Sequence, residues 1–308
     1  MTAHRAPLSD GRWHLQHGPI DIVIGADGEA HAVAAAHDAA WRRFEPVLGE
    51  LVGELPLLRA PVAGPCPLQG VVARRMWHAC RPHRHPFITP MAAVAGAVAD
   101  ELIACYRRDG VTRAWVNNGG DVALHLAPGQ SFRVGLFADL ARFDAGQLRD
   151  ALGARIAVDA AFSVHAAQPV RGVATSGWRG RSFSLGIADS VTVLARSAAE
   201  ADAAATMVAN AVNVDDARIV RRPACDLKDD SDLGAIPVTV DVPALDAESV
   251  QRALAAGAWC ARELQRRSLI GSAALVCQGR LMTVHNAAVV ASPLAVPCAT
   301  PPAFVALA

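Results

Sequence analysis

Helices and strands alternate irregularly along this chain, and that irregularity most constrains its fold. Apolar residues recur at helical spacing over residues 29–55, 90–108, 198–213 and 244–267. Between these segments lie short apolar runs with strand-like alternation, bounded by glycine and proline. The strict strand–helix–strand rhythm of a doubly wound parallel sheet is missing. The sequence therefore predicts an α+β fold, with mixed or antiparallel sheets packed against several helices.

The shorter segments are predicted as strands because they are apolar or alternate in polarity and end at turn residues. They cover residues 12–17, 20–24, 111–117, 122–126, 132–136, 172–175, 191–196, 270–278 and 281–284. No internal repeat and no linker divides the chain, so one domain is expected over residues 1–308. Residues 285–308 form an apolar, proline-rich tail that we expect to pack on the body or trail from it.

The charge balance argues against functions that need a strongly charged surface. The chain carries 29 basic and 29 acidic residues, so nothing draws it electrostatically toward nucleic acid or an anionic membrane. A composition of 52% hydrophobic and 19% charged residues is typical of a globular protein with a large core. We therefore expect neither nucleic acid nor a membrane as a partner.

Cysteine usage and the terminal segments indicate the compartment. The seven cysteines are odd in number and form no C-x-x-C pair, which favours reduced thiols over a disulfide framework. The first residues lack the apolar core of a signal peptide, and prolines interrupt the uncharged C-terminal stretch. A cytoplasmic protein is expected, and its apolar surplus and small-residue helices predict a homodimer.

A turn of two glycines between two predicted strands is the first candidate site. It reads Asn117-Asn118-Gly119-Gly120-Asp121. Glycines let a ligand approach the backbone closely, and the exposed N–H groups can hold a phosphate. Asp121 could then bind a ribose hydroxyl or a metal, and Asn118 offers an amide. An ordinary Asn-Gly hairpin turn has the same sequence, so both interpretations remain open.

The end of the strand predicted at 172–175 is the second candidate. Its continuation, Thr175-Ser176-Gly177-Trp178, would put two hydroxyls and a flexible backbone at a sheet edge, where ligands are commonly received. The indole of Trp178 could stack on a flat ring. An ordinary turn would have the same composition.

The helix predicted from residue 198 carries the third candidate. Asp202 and Thr206 are four residues apart, so they lie on one helical face, one turn from each other. A pair of oxygen ligands suits Mg²⁺, which completes its coordination shell with phosphate and water. The alternative is a first-turn aspartate favoured by the helix dipole, followed by a threonine bonded to its own backbone.

A loop rich in histidine and arginine, residues 78–85, offers two further alternatives. This loop resembles a zinc ligand set, with a thiolate and up to three imidazoles from His78, Cys80, His83 and His85, but the neighbouring arginines would repel a cation. Those positive charges instead favour an anion. Arg81, His83 and Arg84 are therefore predicted as a clamp for a phosphate or carboxylate.

Taken together, the three candidates resemble the ApbE-like superfamily, whose founding members are FAD:protein FMN transferases. The G-G-D turn, the T-S-G segment and the D-x-x-x-T helix occur in that superfamily's order and spacing, over about residues 90–215. The stretch Ala95–Asp100 is similar to the superfamily's helix before the G-G-D strand. Gly18–Asp21, Ile88–Gly96 and Gly180–Asp189 look like a separate branch found in bacteria and archaea.

The resemblance implies an ApbE-like architecture and roles for individual residues. Asp202 and Thr206 would match the Mg²⁺ pair, Asp121 the aspartate near the flavin nucleotide and Ser176 the serine beside it. Asp121 and Ser176 are accordingly the catalytic candidates. The remaining cofactor-binding candidates are Asn118, Gly119, Gly120, Thr175, Gly177 and Trp178. The implied partners are a small-molecule or nucleotide ligand, with FAD or FMN as substrate or ligand, and an acceptor protein.

Two departures from the transferases bear on the activity. Phe183–Asp189 stands where they carry an H-x-I-x-D-P segment near the diphosphate, and Ala95-Gly96 stands where Lys-Gly is expected. Our first hypothesis is a Mg²⁺-assisted, transferase-like enzyme acting on a flavin or a related nucleotide diphosphate. The second is an enzyme with the same fold that acts on a small heterocyclic or carboxylated metabolite without FAD. The third is a non-catalytic flavin-binding protein.

Overall fold

The computed structural model describes residues 2–136 and 160–285, together with a short strand at 304–306. Its α-helices are α1 (Ala30–Gly53), α2 (Leu55–Leu58), α3 (Val71–Cys80), α4 (Val94–Ile103), α5 (Ala198–Ala211) and α6 (Ala247–Arg266). Short 3-10 helices lie at Arg81–His83, Pro90–Ala93, Ala104–Tyr106 and Ala224–Asp226. No helix in the described part of the chain has the length and apolar character needed to cross a bilayer.

Most of the strands join one large sheet. In chain order they are β1 (His4–Pro7), β2 (Trp13–His17), β3 (Ile20–Gly28), β4 (Val111–Asn118), β5 (Asp121–Leu126), β6 (Ser131–Leu136), β7 (Ala160–His165), β8 (Gly172–Ser176), β9 (Ser190–Ala195), β10 (Val220–Pro223), β11 (Pro237–Asp241), β12 (Ser272–Cys277), β13 (Arg280–Val284) and β14 (Phe304–Ala306). Within the described residues the large sheet has the order β1-β2-β3-β4-β5-β8-β9-β12-β13, and its neighbours pair antiparallel. The predicted α+β class is confirmed.

Two smaller sheets complete the described strands. Strands β10 and β11 pair antiparallel, and β6 lies between β7 and β14, antiparallel to the first and parallel to the second. The predicted apolar tail falls outside the described residues except for His285 and β14. The described strand of this tail, β14, therefore pairs with β6.

Side-chain alternation in the large sheet separates two cores. In β4, Ala114 and Val116 belong to a cluster formed with α1, α3 and α4, whereas Trp115 between them packs with β5 to β8 on the other face. This is the period of two expected of a sheet buried on both sides. Helices cover one face, and the pair β6 and β7 covers part of the other.

Helix α5 is central to the helical layer. Its alanines lie in both helix-side clusters, and α5 packs against α4, α6, β8 and β9. Gly96 of α4 permits the crossing with α5, because a β-carbon there would lie 2.3 Å from the carbonyl oxygen of Ala198. The two helices therefore approach backbone to backbone near their N-terminal ends.

The predicted helices at 29–55, 198–213 and 244–267 are confirmed within a few residues, and the one at 90–108 is broken into three pieces. Pro90–Ala93 forms a 3-10 helix, and regular α-helix begins only at Val94. Helix α3 was predicted as part of a proline-marked loop. Strands β1, β7, β10 and β11 were also missed, since β1 is entirely exposed and gives no apolar signal.

Candidate functional site

The double-glycine turn joins β4 to β5 and touches the start of α4. Gly119 and Gly120 have φ of +63° and +109°, a region that residues with a side chain rarely adopt. The N–H of Gly120 donates to Oδ1 of Asn117 (2.8 Å), and Nδ2 of Asn118 donates to the carbonyl of Ala95 (3.1 Å). The segment is thus a two-residue hairpin turn whose asparagines fix its shape and tie it to α4.

Asp121 begins β5 with its carboxylate in the protein interior. The residue is 8% exposed, and its Oδ1 accepts the N–H of Thr175 at 3.3 Å. Burial raises the pKa of Asp121 well above its ordinary value, and the negative charge of Asp202 raises it further. The Thr175 N–H and the positive charge of Arg181 act in the opposite direction. A cation near Asp121 would stabilise its charged form.

Asp202 lies one turn into α5, close to the start of α4. The hydroxyl of Ser197 accepts the N–H of Glu200 and caps α5, as the sequence pattern indicates. Oδ2 of Asp202 accepts the N–H of Gly96 at 3.0 Å. Burial raises the pKa of Asp202 to about 7, and the charge of Asp100 raises it as well. The N–H donors at the start of α4 act in the opposite direction and lower it.

Thr206 follows Asp202 by one turn on the same helical face. It is half-buried, and its hydroxyl makes no hydrogen bond with any residue the structure describes. The alternative of a threonine bonded to its own helix backbone therefore has no support. Asp202 and Thr206 together present oxygen atoms of the kind that Mg²⁺ prefers.

Asp100 is the counterpart of Asp202 in the crossing of α4 and α5. Its two carboxylate oxygens accept the N–H groups of Ala198 (3.0 Å) and Ala199 (2.9 Å), at the start of α5. Each helix thus supplies a carboxylate to the N-terminus of the other, where the helix dipole favours negative charge. Sequence reasoning noted the stretch Ala95–Asp100 only as a resemblance and assigned Asp100 no contact.

The hydroxyls predicted at the end of β8 differ in their surroundings. Thr175 donates its N–H to Asp121, and its hydroxyl shares a hydrogen bond of 2.9 Å with the hydroxyl of Thr192. Both polar groups are therefore used within the sheet. Ser176 is half-buried, and its hydroxyl makes no hydrogen bond within the described residues. Ser176 is therefore the hydroxyl of this segment that remains able to contact a ligand.

Gly177 and Trp178 continue from β8 into a turn. A β-carbon at Gly177 would lie 2.4 Å from the carbonyl oxygen of Asp189, so only glycine fits there. Trp178 is half-buried, and its indole Nε1 is buried without a hydrogen-bond partner among the described residues. The guanidinium of Arg179 lies 4.9 Å from the centre of the ring system, on one face of the indole.

Arg181 lies beside the glycine turn, and sequence reasoning missed it. A β-carbon at Gly119 would lie 2.8 Å from Nη1 of Arg181, so the guanidinium fills the space above the glycine turn. Nη2 of Arg181 donates to the carbonyl of Pro19 at 3.4 Å. The only signal in the sequence is a pair of arginines directly after the T-S-G-W segment.

The predicted anion clamp at Arg81, His83 and Arg84 has different properties. The guanidinium of Arg81 lies 5.6 Å from the centre of the Trp77 ring system, and Arg84 donates to the carbonyl of Arg81. His83 is 5% exposed, and burial together with the charge of Arg267 lowers its pKa to about 4. His83 is consequently neutral at pH 7 and adds no positive charge to the clamp.

The zinc alternative for this loop has no support either. The described residues contain no group of three or more His, Cys, Asp or Glu side chains arranged to hold a metal ion. Cys80 is buried with its thiol toward the carbonyl of Pro90. Burial raises the pKa of Cys80 well above its ordinary value, and the charges of Asp202 and Asp232 raise it further, which puts the start of the loop near Asp202.

Comparisons with known proteins give a family match over most of the chain. A family model described as "AbpE bacteria" matches residues 5–283. A "UPF0280 protein" of Methanopyrus kandleri is 34% identical over 213 residues, which cover 68% of this chain and 78% of that protein. A "UPF0280 protein" of Methanospirillum hungatei is 35% identical over 130 residues. That match covers 42% of this chain and spans about half of the relative, 47% of its length.

Two solved structures are similar at low sequence identity. The apo form of the flavinyl transferase ApbE of Pseudomonas stutzeri gives a TM-score of 0.43 at 13% identity, covering 92% of this chain and 93% of that one. An apbe protein of Thermotoga maritima gives a TM-score of 0.29 at 13% identity, with coverages of 69% and 87%.

Proposed function

The chain belongs to the AbpE bacteria family, and on that premise we propose that it is a Mg²⁺-assisted enzyme acting on a flavin or a related nucleotide diphosphate. Membership confirms the resemblance noted from the motifs. The reaction, the ligand and the metal belong to the proposal, and they are supported by the chemistry of the corner between β4, β5, α4 and α5.

One observation carries the proposal: two carboxylates from distant parts of the chain interact, with Asp121 buried and Asp202 half-buried. Asp121 and Asp202 come from a hairpin and a helix, and the charge of Asp202 raises the pKa of Asp121. Burying two acidic groups together is unfavourable unless a cation or a proton compensates them. Such an arrangement is typical of a site that receives a positive charge from a ligand.

The residues present fit Mg²⁺. Asp202, Thr206 and Asp121 offer oxygen atoms only, and the described chain has no cluster of three acidic, histidine or cysteine ligands. Mg²⁺ is commonly held by one or two carboxylates and completes its shell with substrate phosphates and water. When bound, the ion would neutralise charge on the phosphate oxygens during transfer.

The remaining candidates would bind and orient the ligand. The hydroxyl of Ser176 and the indole N–H of Trp178 are donors without partners in the described residues, and the ring of Trp178 can stack on a heterocycle. Asn118 acts indirectly, because it holds the Gly119-Gly120 turn to α4. Asp121 would orient a sugar hydroxyl or the metal, and transfer would further require an acceptor protein.

Titration calorimetry of the metal-stripped protein with FAD, with and without Mg²⁺, tests the proposal. We expect binding at least about tenfold tighter with Mg²⁺ present. In Asp202→Asn the amide oxygen can still accept the N–H of Gly96, so α4 keeps its cap while the negative charge is lost. This variant should lose the Mg²⁺-dependent part of the affinity.

Glu248→Ala is the matched control, since it removes a carboxylate from the exposed surface of α6, where it pairs with Arg252. It should bind like the wild type. Equal Mg²⁺-dependent affinity in the wild type and in Asp202→Asn would contradict the metal assignment. Binding of FAD without any effect of Mg²⁺ would favour a flavin-binding protein over an enzyme of this type.

The shape of the glycine turn favours a second candidate function. The N–H of Gly120 is already used by Asn117, and Arg181 fills the space above Gly119. This turn therefore has less room for a diphosphate than its sequence suggests, which favours a small heterocyclic or carboxylated metabolite. A thermal-shift panel of flavins, pterins and dicarboxylates separates the two: stabilisation by a non-nucleotide ligand alone would select the second candidate.

A further inference from the structure

Arg181 occupies a defined position over the glycine turn. The absence of a side chain at Gly119 leaves space that Nη1 of Arg181 fills, and Nη2 of Arg181 contacts the carbonyl of Pro19. The guanidinium therefore lies between the glycine turn and Pro19, with one long hydrogen bond to the carbonyl of Pro19.

Arg181 makes no ion pair within the described residues, although its charge lowers the pKa of the nearby Asp121. No ion pair joins Arg181 to a carboxylate of the described residues, whereas Arg179 lies 3.9 Å from Asp189 and Arg43 pairs with two glutamates. A guanidinium has five N–H donors, and Arg181 uses one of them in its contact with Pro19. Donors and positive charge therefore remain for a ligand.

The neighbouring polar groups without partners are also donors. Arg181 lies over the turn that leads into Asp121, and Asp121 in turn accepts the N–H of Thr175 next to Ser176. Ser176 ends β8, and Trp178 and Arg181 follow it within five residues. A group rich in acceptor oxygens and negative charge fits such a set of donors.

We infer that Arg181 is the anion-binding residue of this site, and that its guanidinium binds an oxyanion of the ligand, a phosphate or a carboxylate. The inference deepens the proposed function and rests on it for the location of the ligand. Arg181 thereby supplies the positive charge that the predicted clamp at residues 81–84 was expected to give. Phosphate and carboxylate both present negatively charged oxygens, and a guanidinium can bind two of them through parallel hydrogen bonds.

Titration calorimetry with three probes tests this role: FAD with Mg²⁺, inorganic pyrophosphate with Mg²⁺, and succinate. Arg181→Ala should weaken the binding of whichever probe the wild type binds by about 10- to 100-fold, the range expected for a charged hydrogen bond. Arg181→Lys keeps the charge but not the two-pronged geometry, so it should lie between the wild type and the alanine variant.

Arg252→Ala is the matched control, because it removes another exposed arginine, on α6, whose partners are Glu248 and Ser249. It should leave the affinity for every probe unchanged. Because Arg181 is exposed, its alanine variant should keep the melting temperature of the wild type without ligand. The comparison of affinities is then free of folding effects.

The outcomes separate this inference from the proposed function. Wild-type affinity of Arg181→Ala for FAD or pyrophosphate would overturn the role of Arg181 and leave the proposed function standing. Binding of succinate alone, lost in Arg181→Ala, would support Arg181 and replace the nucleotide diphosphate by a carboxylated metabolite. A wild type that binds none of the three probes would overturn both.

Discussion

Two regions were predicted to bind a charged ligand, and they differ in how the fold arranges their charged groups. At the corner where the β4–β5 turn meets α4 and α5, Asp121 and Asp202 lie together, and Arg181 has no ion-pair partner among the described residues. In the loop at residues 81–84, Arg81 stacks on an indole and His83 is buried and neutral. The corner brings charged groups from distant segments together, whereas the charged groups of the loop are the exposed Arg81 and Arg84.

The difference shows that residue type alone does not identify a binding site. The loop has three basic side chains in four residues, which is the stronger signal in the sequence. In the fold, burial keeps His83 neutral, and only the exposed Arg81 and Arg84 carry positive charge in this loop. The corner is assembled from segments more than 80 residues apart, Gly119 to Asp202, and only the tertiary structure brings their charges together.

The largest effect should come from breaking the helix crossing that builds the corner. In Gly96→Ala the new methyl group would lie 2.3 Å from the carbonyl oxygen of Ala198, a backbone atom that cannot move aside. We expect the free energy of unfolding to fall by about 4 kcal/mol, from overpacking plus the loss of both carboxylate caps. Urea unfolding monitored by circular dichroism measures it.

Gly49→Ala is the control for this substitution. Gly49 also lies inside a helix, α1, but a β-carbon there would meet nothing within 4 Å. It should gain up to about 1 kcal/mol from helix propensity. Similar stabilities for the two alanine variants would show that α4 and α5 do not depend on close contact at Gly96.

Removing the carboxylate of Asp100 should have the next largest effect. In Asp100→Ala the buried N–H groups of Ala198 and Ala199 lose their acceptors, which should cost about 3 kcal/mol in the free energy of unfolding. Asp38→Ala removes an exposed carboxylate paired with Arg5 and should cost less than about 1 kcal/mol. Equal losses in the two variants, measured by urea unfolding, would refute the capping role of Asp100.

The elements of the corner were predictable from sequence, but their contacts were not. Capping by Ser197, the glycine turn and the spacing of Asp202 and Thr206 are local patterns, so the sequence indicates the helix start and the hairpin directly. The exchange of carboxylates between α4 and α5 depends on a crossing that local patterns do not encode. Asp100 therefore looked like any polar residue of a helix.

Arg181 and α3 were missed for a related reason. Arg181 stands in a turn of small and polar residues, and its importance lies in contact with Gly119, which is 62 positions earlier in the sequence. Helix α3 lies between two proline-containing segments, and its buried residues alternate with arginines and histidine, so it resembled a loop. Both depend on long-range packing, which local sequence patterns do not show.

A pH titration tests whether His83 is neutral in the folded protein. Because the folded-state pKa of His83 is lowered to about 4, the unfolded chain binds its proton more readily between about pH 4 and 6.5. The stabilisation due to neutral His83 is complete above that window and is lost as the pH falls through it. At pH 5 this loss amounts to about 2 kcal/mol in the free energy of unfolding.

His83→Gln has no group that titrates in this window at position 83, so its stability should fall less between pH 7 and pH 5 than that of the wild type. The difference between the two pH profiles, obtained by urea unfolding at each pH, isolates His83 from the carboxylates that titrate in both proteins. Parallel profiles would mean that His83 keeps an ordinary pKa and adds positive charge to the loop below pH 6.5.

The smallest effect should come from Arg84, and it bears most directly on the comparison. Arg84 is exposed, and its hydrogen bond to the carbonyl of Arg81 is long, at 3.4 Å, so Arg84→Ala should change the free energy of unfolding by less than about 0.5 kcal/mol. Because we assign the ligand's anionic group to Arg181, pyrophosphate affinity measured by calorimetry should also stay within about twofold of the wild type. A tenfold loss, similar to that expected for Arg181→Ala, would place the ligand's anionic group between the corner and the loop instead of at the corner alone.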